Sequence, residues 1–104
     1  MTLIELKRLL DATGYPVAYS HFNKPRATPF ITYLVTYSSN FHADNKVHRS
    51  ISNVDIELYT SKKDLQAEQT LEGLLNEHEL PFDKVETYID SEKIYQIIYE
   101  VRLF

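Results

Sequence analysis

The length, charge and cysteine content of this chain limit what it can be. Its 104 residues suffice for one domain with a single core. The balance of 11 Lys and Arg against 15 Asp and Glu leaves a net charge of −4, so the bulk attraction that drives nucleic-acid binding is not expected. The absence of cysteine excludes disulfides and thiolate chemistry.

Membrane segments and cofactor-binding loops are not expected either. No apolar run approaches the roughly 20 residues that span a bilayer. The first residues lack the charged-then-apolar layout of a signal peptide, so we expect none. Glycine occurs only at Gly14 and Gly73, which leaves no glycine-rich loop to bind a phosphate group. We therefore expect no cofactor and no membrane contact.

The first predicted element is a short helix. Thr2 and Glu5 have the spacing of a capping box, in which each side chain accepts a hydrogen bond from the backbone N–H of the other residue. The leucines that follow form a broad apolar face, and Gly14 stands where a left-handed C-terminal cap is wanted. An extended segment over residues 17–22 and a proline-containing loop over residues 23–29 come next.

Residues 30–38 predict a strand that is central or covered on both sides, because bulky side chains lie on both of its faces. One face carries Ile31, Tyr33, Val35 and Tyr37. The polar stretch 39–50 follows, with its turn expected over residues 43–46 and with Phe41 and Val47 on either side of that turn. We expect a long hairpin whose tip stands away from the core and which returns into the next strand.

The stretch from Ser52 to Leu80 organises the expected fold. Its first part alternates with a period of two, which is typical of a half-buried strand. The inward-pointing residues are Val54, Ile56 and Leu58. The pattern then changes to that of a helix, capped by Ser61 with Asp64 in a weak form of the capping box, and ended before Pro81. The apolar stripe of this helix comprises Ala67, Leu71, Leu74, Leu75 and His78.

Two more strands are expected after this helix, over residues 82–89 and 94–104, with a turn between them. The order of helix, strands, helix and strands predicts one α+β domain over residues 1–104. Its mainly antiparallel sheet would pack against two helices and carry a long protruding hairpin.

Candidate catalytic and metal sites are few. His42, Asp44 and His48 cluster around the expected turn, but their spacing matches no standard zinc pattern and no cysteine assists them. Asp55 and Glu57 share one strand face, and they are better explained as its solvent side than as an acid/base pair. No nucleophile elbow occurs. We therefore expect neither a bound metal nor enzymatic activity.

Charged and aromatic residues point instead to protein contacts. Lys24 and Arg26 can touch a phosphate or an acidic partner, or they can simply lie in an exposed loop. Glu68, Glu72 and Glu79 fall in one narrow helical sector and oppose the helix dipole, as a solvated face or as an acidic ridge facing a basic partner. The chain has eight tyrosines, which are favoured at interface cores, so part of the sheet is expected to pack against another chain. Five of them are expected on strands: Tyr33, Tyr37, Tyr59, Tyr95 and Tyr99.

Three stretches of the sequence carry a resemblance to a known family. They are Asn40–Val47, then Asn53–Thr60 followed by Lys63-Asp64 and a helix with Glu68, and finally Leu80–Lys84 through Tyr95–Glu100. These stretches resemble small tail-completion proteins of long-tailed phages and Gram-positive prophages, of the tail-terminator or head–tail-joining type. The resemblance implies an α+β fold and a homo-oligomeric ring, commonly a hexamer, that caps the tail tube and meets the head connector. It carries over no catalytic residue.

On this hypothesis the chain is a structural protein of the virion, assembled in the host bacterial cytoplasm. Its partners would be copies of itself, the tail tube protein and head connector proteins. DNA would pass through an acidic lumen without specific binding, because like charge repels phosphate. The alternatives are a head-side connector or stopper protein and a small monomeric regulatory module that binds one protein. The residues assigned to the interface are Phe41, His42, Asp44, Lys46, Val47, Arg49, Glu68, Glu72 and Glu79.

Overall fold

The structure, a computed structural model, describes residues 1–43 and 46–104, and over residues 39–43 and 46–50 it describes the backbone pairing alone. These described residues form two helices and five strands. The elements are α1 (Leu3–Asp11), β1 (Val17–Tyr19), β2 (Phe30–Ala43), β3 (Lys46–Thr60), α2 (Leu65–Glu77), β4 (Asp83–Ile89) and β5 (Ile94–Leu103).

The strands form one sheet in the order β1-β2-β3-β5-β4. β1 pairs with β2 in parallel, and every other neighbouring pair is antiparallel. The predicted α+β fold with a mainly antiparallel sheet is therefore confirmed. β1 is shorter than the extended segment predicted over residues 17–22, since Ser20 takes a φ of +67° directly after Tyr19.

Both helices pack on one face of the sheet, which we call the helix face. The strand register places Tyr33, Ile56 and Tyr99 side by side across β2, β3 and β5, and all three are buried. The helices complete this core with Leu6, Leu9, Leu10, Ala67, Leu71 and Leu75. The predicted inward-pointing residues of β3 are confirmed, because Val54, Ile56 and Leu58 are all buried here.

The predicted cap is correct at the N-terminus of α1 and wrong at the N-terminus of α2. In α1, Thr2 Oγ1 accepts from the Glu5 N–H at 3.1 Å and Glu5 Oε1 accepts from the Thr2 N–H at 3.0 Å, so the capping box is confirmed. In α2 the cap is Asp64, whose Oδ1 accepts from the Ala67 N–H at 3.1 Å. The predicted cap at Ser61 is wrong, because the helix begins later and the Asp64 carboxylate also interacts favourably with the helix dipole.

The C-terminus of α2 is closed by a Schellman motif. The Leu80 N–H donates to the Leu75 carbonyl at 2.9 Å, and the Glu79 N–H donates to the Asn76 carbonyl at 3.0 Å. Glu79 takes the left-handed conformation that this motif requires, with a φ of +54°. Pro81 follows the motif, so the helix stops before the proline as predicted.

A register shift in β2 changes the face on which its later side chains lie. Val35 pairs with Val54 but Tyr37 pairs with Asn53, which leaves one extra residue in β2 between them. Tyr37 therefore lies on the face opposite the helices and is 60 % exposed. The predicted alternation from Ile31 to Tyr37 is wrong at its last member, because a bulge shifts the two-residue period by one position.

β2 and β3 continue past the rest of the sheet as a two-stranded ribbon. Their pairing runs to Ala43 opposite Lys46, whereas β5 pairs with β3 only as far as Ser52. We call residues 39–43 and 46–51 the ribbon, since in the described part of the chain their strands pair only with each other. The molecule is correspondingly long, 50 Å by 29 Å by 23 Å. The predicted protruding hairpin is confirmed in its two strands.

Candidate functional site

The sheet face opposite the helices, which we call the open face, is lined by rows of cross-strand neighbours. The first row is Phe30, Tyr59, Gln96 and Thr87; the second is Thr32, Glu57, Ile98 and Val85; the third is Leu34, Asp55, Glu100 and Asp83. The first row lies beside the loop after β1, and the third lies nearest the ribbon. The open face thus mixes apolar groups with carboxylates, in contrast to the helix face, where the residues of β2, β3 and β5 are mainly apolar.

The loop over residues 20–29 lies beside Phe30 and Tyr59 of the first row and borders an open cavity of about 650 Å³, which we call the loop cavity. A row of contacting aromatic rings forms one wall of this cavity. The rings of Phe22 and Phe30 meet edge to face at 5.5 Å, and Phe30 stacks on Tyr59 at 4.8 Å. Arg26 holds its guanidinium 5.2 Å from the centre of the Phe22 ring. Because Lys24 also lines this cavity, the loop end of the open face carries two cationic side chains on an aromatic base.

Polar groups of the first two rows are joined by hydrogen bonds. Thr32 donates to Glu57 Oε1 at 2.9 Å, and Gln96 donates to Glu57 Oε2 at 3.0 Å and to the Tyr59 hydroxyl at 2.9 Å. Burial raises the pKa of the Glu57 carboxyl, and the hydrogen bond from Thr32 opposes that rise. Both oxygens of Glu57 therefore already accept a hydrogen bond from a neighbouring strand.

Three carboxylates lie side by side in the third row, and we call them the acidic row. Asp55 pairs with Glu100, which in turn pairs with Asp83. Burial raises the pKa of the Asp55 carboxyl. Like charges directly opposite each other on neighbouring strands are destabilising. None of the three forms an ion pair with any residue that the structure describes.

A second charged group, the Glu68 cluster, lies between α2 and the β4 edge of the sheet. Glu68 is only 1 % exposed. Its Oε2 lies 2.8 Å from Lys63 Nζ and its Oε1 lies 2.6 Å from Lys84 Nζ. Lys84 Nζ also lies 2.8 Å from Glu72 Oε2, which accepts from the Tyr99 hydroxyl at 2.7 Å. The cluster thus fastens α2 to β4 and β5.

The contacts of the Glu68 cluster set its protonation states. Burial raises the pKa of Glu68, but the hydrogen bonds from Lys63 and Lys84 outweigh burial and leave that pKa below its ordinary value. The ion pair with Glu68 likewise raises the pKa of Lys63. Glu68 and Lys63 are therefore charged at neutral pH, and a buried ion pair of this kind fixes geometry more than it adds stability.

This arrangement corrects the predicted acidic ridge. Glu68 is buried and paired inside the chain, and Glu72 is engaged by Lys84 and Tyr99, so neither is free to face a basic partner. Only Glu79 of the three remains exposed. A sequence signal for the burial of Glu68 did exist, because it lies three residues before Leu71 on the same helical stripe.

The other residues assigned to an interface, except Asp44, lie on the ribbon. Phe41, His42, Lys46, Val47 and Arg49 have described strand pairing, but their side chains are outside the described residues. Asp44 lies wholly outside them, as does the predicted turn at its centre. The loop cavity contains Lys24 and Arg26, which were weighed as a contact for a phosphate or an acidic partner; its aromatic wall was not predicted.

The tyrosines divide between core and surface. Tyr33 and Tyr99 are buried on the helix face, so they belong to the core. Tyr59 is half-buried in the wall of the loop cavity, and Tyr37 is exposed on the open face. The prediction that the sheet packs partly against another chain therefore concerns the open face.

Histidines and acids do not converge in the part of the chain that the structure describes. There, no group of three or more His, Asp or Glu side chains has the arrangement of metal ligands. His78 is the C-terminal cap of α2, and its ring Nδ1 lies 2.9 Å from the Leu74 carbonyl oxygen. The side chains of His42 and His48 lie outside the described residues. None of the described helices is long and apolar enough to cross a membrane.

No protein-family model matches the chain, and a search of curated proteins gives no match either.

Proposed function

We propose that this chain is a structural protein of phage assembly, a tail-terminator or tail-completion protein that acts as a ring at the end of the tail tube. The ring would meet the head connector and let DNA pass without specific binding. The protein would act in the virion and without catalysis. Two things support the proposal: the stretches of sequence that resemble this family, and the ribbon that extends β2 and β3 beyond the sheet.

The ribbon is the observation that carries the proposal. A two-stranded hairpin is marginally stable at best in water. Ordering a backbone residue costs roughly 1–2 kcal/mol, and within the described residues the ribbon has no third strand to offset that cost. The surface of a neighbouring copy or of the tail tube can supply the missing contact. A projecting ribbon of this kind is suited to a protein that assembles by contacting its neighbours.

The register of the strands defines a clean test. Asn40 pairs with Ser50, so replacing residues 41–49 with Asn-Gly leaves a two-residue hairpin loop that can close the strands by itself. We expect this variant to fold, with an unchanged circular dichroism spectrum and a cooperative unfolding transition. In phage lysates that depend on the supplied protein, we expect full heads and tails that do not join.

A matched control keeps the length of the ribbon and replaces two of its apolar side chains, Phe41→Ser with Val47→Ser. If this control fails to join heads as the short variant does, apolar contact by the ribbon is the active feature. If the short variant assembles and joins heads as well as the parent, the ribbon is only a connector and the proposed role is wrong.

A further inference from the structure

We propose that two copies of this chain dock through their open faces, with the loop cavity of each copy against the acidic row of the other. This contact goes beyond the ring at the tail and does not depend on it.

The two ends of the open face carry opposite charge. Lys24 and Arg26 lie at the loop cavity, and the acidic row lies two register rows away, about 13 Å along the strands. Glu92 at the cavity rim reduces the positive charge of the cavity end, and Arg102 in the row beyond the acidic row reduces the negative charge of the other end. Neither residue reverses the sign of the charge at its end. A chain of net charge −4 therefore presents a local cationic end beside a local anionic end.

Neither end forms an ion pair within the part of the chain that the structure describes. The acidic row has no ion pair among the described residues, although its adjacent carboxylates repel one another. Lys24 and Arg26 have none there either, and Arg26 instead lies over Phe22. Opposite charges on another molecule would offset the repulsion within the acidic row and would give Lys24 and Arg26 charged partners.

A twofold axis through the middle row lets both charged ends of each copy meet an opposite charge on the other copy. If two open faces pack in opposite directions about that row, the loop cavity of each copy meets the acidic row of the other, which makes the contact isologous. At the axis, Ile98 and Val85 supply apolar surface, and Val85 is 47 % exposed. Glu57 lies in the same row, but both of its oxygens already accept hydrogen bonds. A second copy of the chain is therefore the occupant whose charge pattern is complementary.

The size of the face sets the strength of the contact. Four strands about 4.8 Å apart and rows spanning about 20 Å give roughly 400 Å² per copy. A standard stable interface buries about 800 Å² per partner. The loop over residues 20–29 adds area, but the dimer is expected to form with rising concentration rather than to be permanent.

Charge reversal tests this contact by sedimentation equilibrium or light scattering over a concentration series. The variant Lys24→Glu with Arg26→Glu makes both ends negative, and Asp83→Lys with Glu100→Lys makes both ends positive. All four side chains are exposed, so both variants should fold. We expect the parent to dimerise, and each variant alone to dimerise at least tenfold more weakly. An equimolar mixture of the two should dimerise like the parent, since both contacts are then restored.

Matched controls reverse two charges of the same sign at positions outside the open face. Arg8→Glu with Lys62→Glu, and Glu77→Lys with Glu79→Lys, lie outside the open face and should dimerise like the parent. The inference is overturned if the parent stays monomeric throughout, if the reversed variants dimerise normally, or if mixing them does not restore the dimer. Each of those results leaves the head-joining experiment on the ribbon standing, so the two proposals fail separately.

Discussion

Replacing Glu68 by glutamine removes the central charge of the Glu68 cluster while keeping the shape of the side chain. Removing one partner of a buried ion pair costs about 3–5 kcal/mol when the other charge stays buried. The side chains of Lys63 and Lys84 are 46 % and 35 % exposed, so they can rehydrate. The loss then approaches that of a hydrogen bond to a charged group, about 1.5–3 kcal/mol. We therefore expect Glu68→Gln to lower the free energy of unfolding by about 2 kcal/mol.

Urea unfolding followed by circular dichroism measures this loss, and thermal unfolding should show a melting temperature lower by about 8–16 °C. Glu77→Gln is the matched control, because Glu77 is exposed on the same helix, and its change should stay within about 0.5 kcal/mol. A loss below about 0.5 kcal/mol for Glu68→Gln would refute the argument, because the cluster would then not hold α2 against the sheet.

The pH dependence of this loss follows from the direction of the pKa shift. Because the folded-state pKa of Glu68 is lowered, its contribution is fully present above its unfolded pKa, about 4.3. It is lost as the pH falls through the lowered folded-state value. The difference between the parent and Glu68→Gln should therefore be full at pH 7 and shrink on acidification below about pH 4. A difference that grows in acid would contradict the ion-pair assignment.

Two further predictions concern α2, and both are checked by urea unfolding. Leu71→Ala should cost about 2–5 kcal/mol because Leu71 is fully buried, whereas Leu74→Ala should cost about 1–2 kcal/mol because Leu74 is only partly buried; equal losses would mean that the helix is rotated. Asp64→Ala should cost about 1 kcal/mol through loss of the helix cap, whereas Ser61→Ala should cost almost nothing; the reverse order would restore Ser61 as the cap.

Much of the fold was predictable because its signals are local. The capping box at Thr2 and Glu5 needs only two residues at a fixed spacing, and the strand alternation of β3 and β5 is read directly from the sequence. The bulge after Val35 was not predictable, since an unpaired residue is defined by its partner strand and leaves the composition unchanged. This one position decides that Tyr37 lies on the open face.

The charged sites were harder to predict because they depend on tertiary pairing. Glu68 belongs to the helical stripe, but its burial requires Lys63 and Lys84 to neutralise it, and Lys84 reaches it only through the register that places Lys84 opposite Tyr99. The loop cavity likewise brings Phe22 together with Tyr59, which are far apart in sequence. Residue types alone could suggest contacts for these groups but could not place them.

Electron cryomicroscopy of completed tails carrying this protein tests the proposed function most directly. The account predicts a closed ring of copies at the end of the tail tube, with each ribbon, residues 39–43 and 46–51, in contact with a neighbouring copy or with the tube. Tails that end without such a ring, or rings whose ribbons contact nothing, would contradict it.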